Sequence, residues 1–176
     1  MTRFIASDLD GSLLTSSGTV SSENLQAINK VKSEGLDLIF VTGRPTRWMD
    51  NIAQMTGHNG LVLCANGAVL YNLGTQEIVD AQIMNGQIGL LAANRLRSVD
   101  PGITFAVELA RKSDEFLVDL NYRPRWEPKV PPRKVSVEEM FETDLVVKFL
   151  ARPSSDVLHD ADSFLHACDA ALDGIV

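Results

Sequence analysis

The sequence predicts an α/β fold, with a parallel sheet followed by a second module of mixed helices and strands. Two observations carry this. Up to residue 65, short continuously apolar runs alternate with stretches of helical periodicity. Continuous apolar strands separated by helices indicate a parallel sheet covered on both faces. From about Asn85 the pattern changes to one long helix followed by several strands, with little alternation. Hydrophobic residues at 45% and charged residues at 22% are ordinary globular usage, which excludes global disorder.

Phe4 to Leu9 reads as the first strand. Ser21 or Ser22 caps a helix that sets Leu25, Ile28 and Val31 on one face and stops at Gly35. Leu36 to Val41 is a second strand. Pro45 suits the first turn of the next helix, where its missing N–H costs nothing. Trp48, Ile52 and Met55 then share a face, and Gly57 ends the helix. Leu61 to Ala65 is a third strand, and Asn66-Gly67 turns the chain into a small hairpin, Val69–Tyr71 with Glu77–Ile83. In the second module, Ile88, Leu91, Ala92, Leu96 and Val99 mark a helix ending near Pro101. Ile103–Leu109 and Phe116–Leu120 read as strands. Residues 121–132 hold Pro124, Pro128, Pro131 and Pro132, which demands a loop; Arg123, Arg125 and Trp126 on it are expected at the surface. A short helix near Val137–Phe141, a strand Leu145–Ala151 and a helix Asp156–Leu172 follow. Gly174 to Val176 reads as the start of a further strand.

The net charge is −7, from 16 basic and 23 acidic side chains, which argues against a nucleic-acid or anionic-membrane binder. No apolar run approaches the roughly 20 residues of a membrane-spanning helix. Asp8 follows the N-terminus too closely for a signal peptide. A cytoplasmic location is expected. Cys64 and Cys168 are far apart and have no Cys or His at zinc-ligand spacing, so Cys64 reads as a small buried hydrophobe.

The most informative segment is Ser7-Asp8-Leu9-Asp10-Gly11-Ser12-Leu13-Leu14. Residues i and i+2 of a strand share a face, so Asp8 and Asp10 project together beyond the strand's carboxyl end, where open α/β sheets bind ligands. Gly11 permits the sharp turn that brings backbone N–H groups toward an anion. Two carboxylates so close repel unless a cation intervenes, and Mg²⁺ prefers such oxygen donors. One acid can serve as nucleophile and the other as proton shuttle. A pair of acids capping a turn is the plain structural alternative. The second segment is Phe40-Val41-Thr42-Gly43-Arg44-Pro45. Thr42 and the N–H groups after it form a phosphate site at a helix start, or Thr42 simply caps the helix; the two roles are compatible. Arg44 can orient a substrate or make a surface ion pair. Asn66, at the end of the third strand, faces the ligand edge or only forms a turn.

Asp8-Leu9-Asp10-Gly11-Ser12-Leu13-Leu14, Val41-Thr42-Gly43-Arg44-Pro45 and Ala65-Asn66-Gly67-Ala68, in that order and spacing, resemble the haloacid dehalogenase-like (HAD) phosphatase superfamily and look most like its Cof-type branch. Ser12 stands where the branch usually has Thr. The resemblance implies a HAD-like Rossmannoid parallel sheet at residues 1–82, incomplete here, with an α+β cap module at 83–176 that closes over the site and selects the substrate. It implies Asp8 as nucleophile, Asp10 as acid and base, and Mg²⁺ on the Asp8 carboxylate and the Asp10 carbonyl. Thr42 and the Gly43 N–H would hold phosphoryl oxygens, with Arg44 and Asn66 beside them. The implied function is Mg²⁺-dependent hydrolysis of small phosphorylated metabolites, sugar-phosphate-like, through an aspartyl phosphate.

Two further elements of the superfamily, a Lys and an acidic Gly-Asp pattern after the cap, are not evident, and the chain has no Gly-Asp dipeptide. Lys148 sits inside a strand and suits a cap better than a catalytic site. Asp156/Asp160, Asp169/Asp173 and the cluster His159, Asp162, His166 read more simply as solvated helix positions. Without the later strands, Phe4–Leu9 is expected at a sheet edge, which invites pairing. The expectation is therefore an N-terminal portion of a longer phosphatase, or a truncation, with impaired turnover; a homodimer is one way of covering the edge. The competing readings are a non-catalytic phosphate-binding fragment and, more distantly, a phosphomutase.

Overall fold

A computed structural model describes residues 4–111, 116–125, 130–154 and 160–175. The chain divides into two compact units, one of Met1–Gln82 with Ala110–Ser113, the other of Ile83–Leu109 with Asp114–Val176.

The first unit is built on a five-stranded sheet in the order β1-β2-β3-β4-β5: β1 (Phe4–Asp8), β2 (Asp37–Val41), β3 (Leu61–Cys64), β4 (Val69–Asn72) and β5 (Glu77–Ala81). β1, β2 and β3 run parallel; β4 and β5 return antiparallel as the hairpin. Helix α1 (Ser22–Ser33) joins β1 to β2, and α2 (Met49–Thr56) joins β2 to β3. Ser21 caps α1, its hydroxyl accepting from Asn24 N–H at 3.2 Å. Gly57 ends α2 in the left-handed region, φ 60°.

Burial along these strands alternates. Leu38, Phe40, Val62 and Cys64 are buried, whereas Ile39, Val41, Leu61 and Leu63 are half-exposed. The expectation of a sheet covered on both faces is thus corrected. Two successive right-handed crossovers stepping in the same direction place α1 and α2 on one face of the sheet. β1 is the edge strand, with Phe4 61% and Ile5 40% exposed. Trp48 is a second correction. Thr46–Trp48 forms a single 3₁₀ turn before α2, so the buried face of that helix is Met49, Ile52 and Thr56, and Trp48 faces outward. A turn of three residues instead of 3.6 advances each side chain by a larger angle, which rotates Trp48 out of register with the helix it precedes.

The second unit is a four-stranded sheet in the order β8-β7-β6-β9. Its strands are β6 (Thr104–Leu109), β7 (Leu117–Asp119), β8 (Arg133–Val135) and β9 (Val146–Arg152). Helices α3 (Gly86–Val99), α4 (Val137–Met140) and α5 (Ala161–Leu172) accompany it. Phe105, Val107, Leu117, Val135 and Val146 form one core with Ala93 and Leu96 of α3 and Met140 of α4; Phe164 and Cys168 of α5 pack against it. On α3 the helical period holds, but Ile88 and Leu91 face outward and Gly89 inward. A side chain at Gly89 would collide with the Phe141 ring, so the small residue sets how closely the helix approaches. β8, directly after the proline-rich stretch, was not expected; β7 pairs with it in parallel. Gly174 and Ile175 form a turn, with Ile175 N–H on the Leu172 carbonyl, rather than starting a strand. Trp126, Pro128, Asp156 and His159 lie outside the described residues.

Candidate functional site

The register of the parallel strands assembles the site. Asp8 pairs with Val41, and Val41 with Leu63, so the three strands end within one residue of a common rung. Asp8 closes β1, Thr42 follows β2, and Asn66 lies two residues beyond β3. The parallel register brings the next residues of all three strands out at the same edge.

After Asp8 the chain leaves the strand. Leu9 is fully buried, and Leu13 and Leu14 are nearly so, which pins the loop from below. Leu14 N–H donates to the Leu9 carbonyl at 2.8 Å, and Asn24 Nδ2 donates to the Leu13 carbonyl at 2.9 Å. Gly11 makes the turn at φ 77°, where a side chain would be strained. Between these anchors Asp8 and Asp10 both stand exposed on either side of buried Leu9. Asp8 Oδ1 accepts from Leu9 N–H at 2.8 Å. Its other carboxylate oxygen accepts no hydrogen bond from the described residues.

The β2 and β3 loops are tied together by main-chain bonds. Thr42 N–H donates to the Leu63 carbonyl at 2.8 Å, Asn66 N–H to the Thr42 carbonyl at 3.1 Å, and Ala65 N–H to the Arg44 carbonyl at 2.9 Å. Thr42 is 2% exposed, and its hydroxyl accepts from Arg44 N–H at 3.1 Å. The hydroxyl keeps its proton for another acceptor, so the turn-capping role leaves a donor in place. Ala65, Asn66 and Gly67 are successively left-handed, at φ 52°, 61° and 95°. For Ala65 that conformation costs about 1–2 kcal/mol, and the two loop-to-loop bonds on either side of it hold it there. The bend lays the Asn66 amide over Gly43: a Cβ on Gly43 would meet Asn66 Oδ1 at 3.3 Å.

Arg44 completes the group. Its Nε donates to Asp10 Oδ2 at 2.9 Å and its Nη2 to Asp10 Oδ1 at 2.5 Å, a two-point fork across the site. These hydrogen bonds, more than the charge itself, hold the Asp10 carboxyl below its ordinary range. The ion pair is open to solvent, with side chains 23% and 57% exposed, so it orients Asp10 more than it stabilises the fold. Asp8, Asp10, Thr42, Gly43, Arg44 and Asn66 thus surround one edge of one unit. The pairing of Arg44 with Asp10 links residues 34 apart, and no local pattern pointed to it.

Other candidates stand elsewhere. Cys64 is fully buried, and burial pushes its thiol up to about 12, which makes it inert. Lys148 lies in β9 opposite Glu108. Asp160 caps α5 by accepting from Ser163 N–H. Asp162, His166, Asp169 and Asp173 are exposed, and among the described residues no three His, Cys, Asp or Glu side chains gather as metal ligands. No described helix is long and apolar enough to cross a membrane.

Comparison with known proteins gives concordant matches. The sequence profile of the haloacid dehalogenase-like hydrolases matches residues 5–112. Pyridoxal phosphate phosphatase YbhA of Escherichia coli is 34% identical over 83 residues, 47% of this chain and 30% of that protein. Phosphatase YwpJ of Bacillus subtilis is 37% identical over 70 residues, 40% of this chain and 25% of that protein. The chain therefore matches less than a third of the length of these relatives. A haloacid dehalogenase-like hydrolase from Bacteroides thetaiotaomicron superposes with a TM-score of 0.68 at 20% identity, over 98% of this chain and 63% of that one.

Proposed function

The chain belongs to the haloacid dehalogenase-like hydrolases, in their Cof-type branch, and on that premise we propose that it serves as a phosphomonoesterase of small phosphorylated metabolites. The observation that carries the proposal is the meeting of the Asp8–Asp10 loop with Thr42–Arg44 and Asn66 at the ends of three parallel strands.

In this reading Asp8 attacks phosphorus through the carboxylate oxygen that Leu9 N–H does not hold. The phosphorus–leaving-oxygen bond breaks as the new bond forms, and Asp10, which must first take up a proton from solvent against the pull of Arg44, passes it to the departing alkoxide. Asp10 then takes a proton from water. The water oxygen bonds to phosphorus, the Asp8–phosphorus bond breaks, and inorganic phosphate leaves with both acids restored. Thr42, through its hydroxyl proton, and the Gly43 N–H hold phosphoryl oxygens in line. Arg44 fixes the direction of the Asp10 carboxylate, and Asn66 borders the pocket over Gly43.

Exposed hard-oxygen donors at this edge fit Mg²⁺, which keeps waters and substrate oxygens in its shell and so needs few protein ligands. The Asp8 carboxylate and the Asp10 backbone carbonyl would hold it. Bound there, the ion neutralises charge on the phosphoryl group.

The test is hydrolysis of a generic aryl phosphate with Mg²⁺, comparing the native chain with Asp8→Asn. The reading expects turnover that falls on the order of a thousandfold in the variant. Equal background rates in both would favour a non-catalytic phosphate-binding module.

A further inference from the structure

His58 is a buried titratable group that the proposed chemistry does not use. It lies between α2 and β3, at the sheet edge opposite the candidate site. The residue is only 5% exposed, and its Nε2 has no hydrogen-bond partner among the described residues. Its ring packs on Phe40 of β2, with centroids 4.6 Å apart and planes tilted by 58°. It also fills the space that Gly60 leaves: a Cβ there would stand 2.6 Å from Cε1 and 2.9 Å from Nε2. Three bonds hold the main chain around the ring. Gly57 N–H donates to the Ala53 carbonyl at 2.9 Å, His58 N–H to the Thr56 hydroxyl at 3.1 Å, and Lys32 Nζ to the Gly57 carbonyl at 2.6 Å.

This pocket suits a neutral imidazole. In the charged ring both nitrogens carry N–H groups, so Nε2 becomes a buried donor without an acceptor. A buried cation without a partner costs far more than an ordinary hydrogen bond returns. The charged groups nearby give no relief. Lys32 of α1 repels the cation. Lys30 and Glu34, two positions either side of Lys32, point elsewhere around the helix. Asp37 of β2 alternates onto the face away from Leu38 and Phe40, and Asp50 stands in the first turn of α2, at the end away from Gly57. β3 brings no titratable group besides buried Cys64. Burial, opposed by a main-chain hydrogen bond at Leu61 and reinforced by Lys32, accordingly holds the His58 pKa below its ordinary value. The ring can escape this cost without unfolding the sheet. Its release breaks only the bonds around Gly57 and His58, while β2 and β3 keep the pairs Phe40–Val62 and Val41–Leu63. Such a local opening costs less than global unfolding.

We propose that His58 is a pH-operated latch on the α2–β3 connection. Neutral, it locks the C-terminal end of α2 onto β2; protonated, it leaves its pocket and opens residues 57–60 while the sheet stays paired. The latch is independent of the phosphatase reading.

Amide hydrogen exchange of the full chain between about pH 7.5 and 5.5, each rate divided by its intrinsic value, tests it. Protection at Gly57 and His58 should fall by up to about tenfold per pH unit below about pH 6.5. Protection at Thr42, whose N–H is bonded to the Leu63 carbonyl, should hold. In His58→Phe, which has no proton to gain, the fall should vanish. Gly60→Ala evicts the ring by contact, so its connection should already be open at neutral pH, with the ring protons titrating by NMR at the ordinary value. Unchanged protection at Gly57 and His58, or an equal loss at Thr42, would overturn the latch. So would an undiminished fall in His58→Phe, or a native ring that titrates at the ordinary value with Gly57 and His58 still protected.

Discussion

Gly43→Ala tests whether the Asn66 amide belongs to the working site. A methyl group on Gly43 would sit 3.3 Å from Asn66 Oδ1 and 3.5 Å from Nδ2. Favourable contact begins near 3.5 Å, so the amide must retreat by a few tenths of an ångström. Its main chain has little freedom to follow. Asn66 is held at φ 61°, and its N–H is bonded to the Thr42 carbonyl at 3.1 Å. The side chain therefore takes up the displacement, at a stability cost below about 1 kcal/mol. A 1 Å misplacement near the chemistry costs about a hundredfold in rate, so a shift of a few tenths should lower kcat/KM by about three- to tenfold. Asn66→Gly removes the amide and suits the positive φ. In that background Gly43→Ala should have little further effect, because the group it displaces is gone. The assay is a double-mutant cycle on aryl phosphate hydrolysis with Mg²⁺, with a thermal melt of each variant. Losses that simply add, or an unchanged kcat/KM in Gly43→Ala, would refute the argument that the methyl acts through Asn66.

Three further outcomes follow from the packing. His58 is buried against Phe40, with ring centroids 4.6 Å apart, and burial together with the nearby Lys32 charge holds its pKa below the ordinary value. The unfolded chain takes up the proton near pH 6.5 while the folded chain resists it, so stability is full above that pH and is lost as pH falls toward the folded value. Urea denaturation of the native chain between pH 7.5 and 5.5 should show this loss, at most about 1.4 kcal/mol per pH unit, and His58→Gln should flatten it; equal slopes in both would remove His58 as the cause. Gly86→Ala would place a Cβ 2.3 Å from the Phe141 carbonyl oxygen, and main chain cannot step aside as a flexible side chain does. Denaturation should report a cost of about 2–3 kcal/mol, with native-like stability as the contrary result. Arg97→Met strips the 2.8 Å partner from Asp119, whose side chain is only 10% exposed, and should cost about 2 kcal/mol by the same assay. A change within about 0.5 kcal/mol, the range of an ordinary surface substitution, would show that water replaces the guanidinium.

Much of the element order was legible. Serine caps, left-handed glycines and apolar runs act through bonds between residues a few positions apart, so Ser21, one of the two serines offered, and Gly57 mark the boundaries read from them, while the Asn85 cap on α3 was not read. The helix faces at Trp48, Ile88 and Leu91 were misread for a local and a packing reason. At Trp48 a 3₁₀ turn changes the angle per residue. On α3, Gly89, Ala92 and Ala93 turn inward because small residues allow close approach to Phe141 and the sheet, which leaves the larger apolar ones outside. β8 escaped notice because three residues beside prolines carry no periodicity, and only pairing with β7 makes them a strand.

The sequence alone determined the candidate site's membership. Asp8, Asp10, Thr42, Gly43, Arg44 and Asn66 stand at or just past the ends of apolar runs, and chemistry-bearing residues there face the ligand edge. The tertiary structure decided how these residues are arranged. The register of β1, β2 and β3 brings their ends within one residue of a common rung, and the Arg44 fork chooses Asp10 as its partner. The strand order also decides that one face of the sheet stays half-exposed at Ile39, Val41, Leu61 and Leu63. Local rules extend over one turn of helix or one pair of strand residues. These outcomes depend on which distant segments become neighbours, a matter settled only when the whole chain closes around its core.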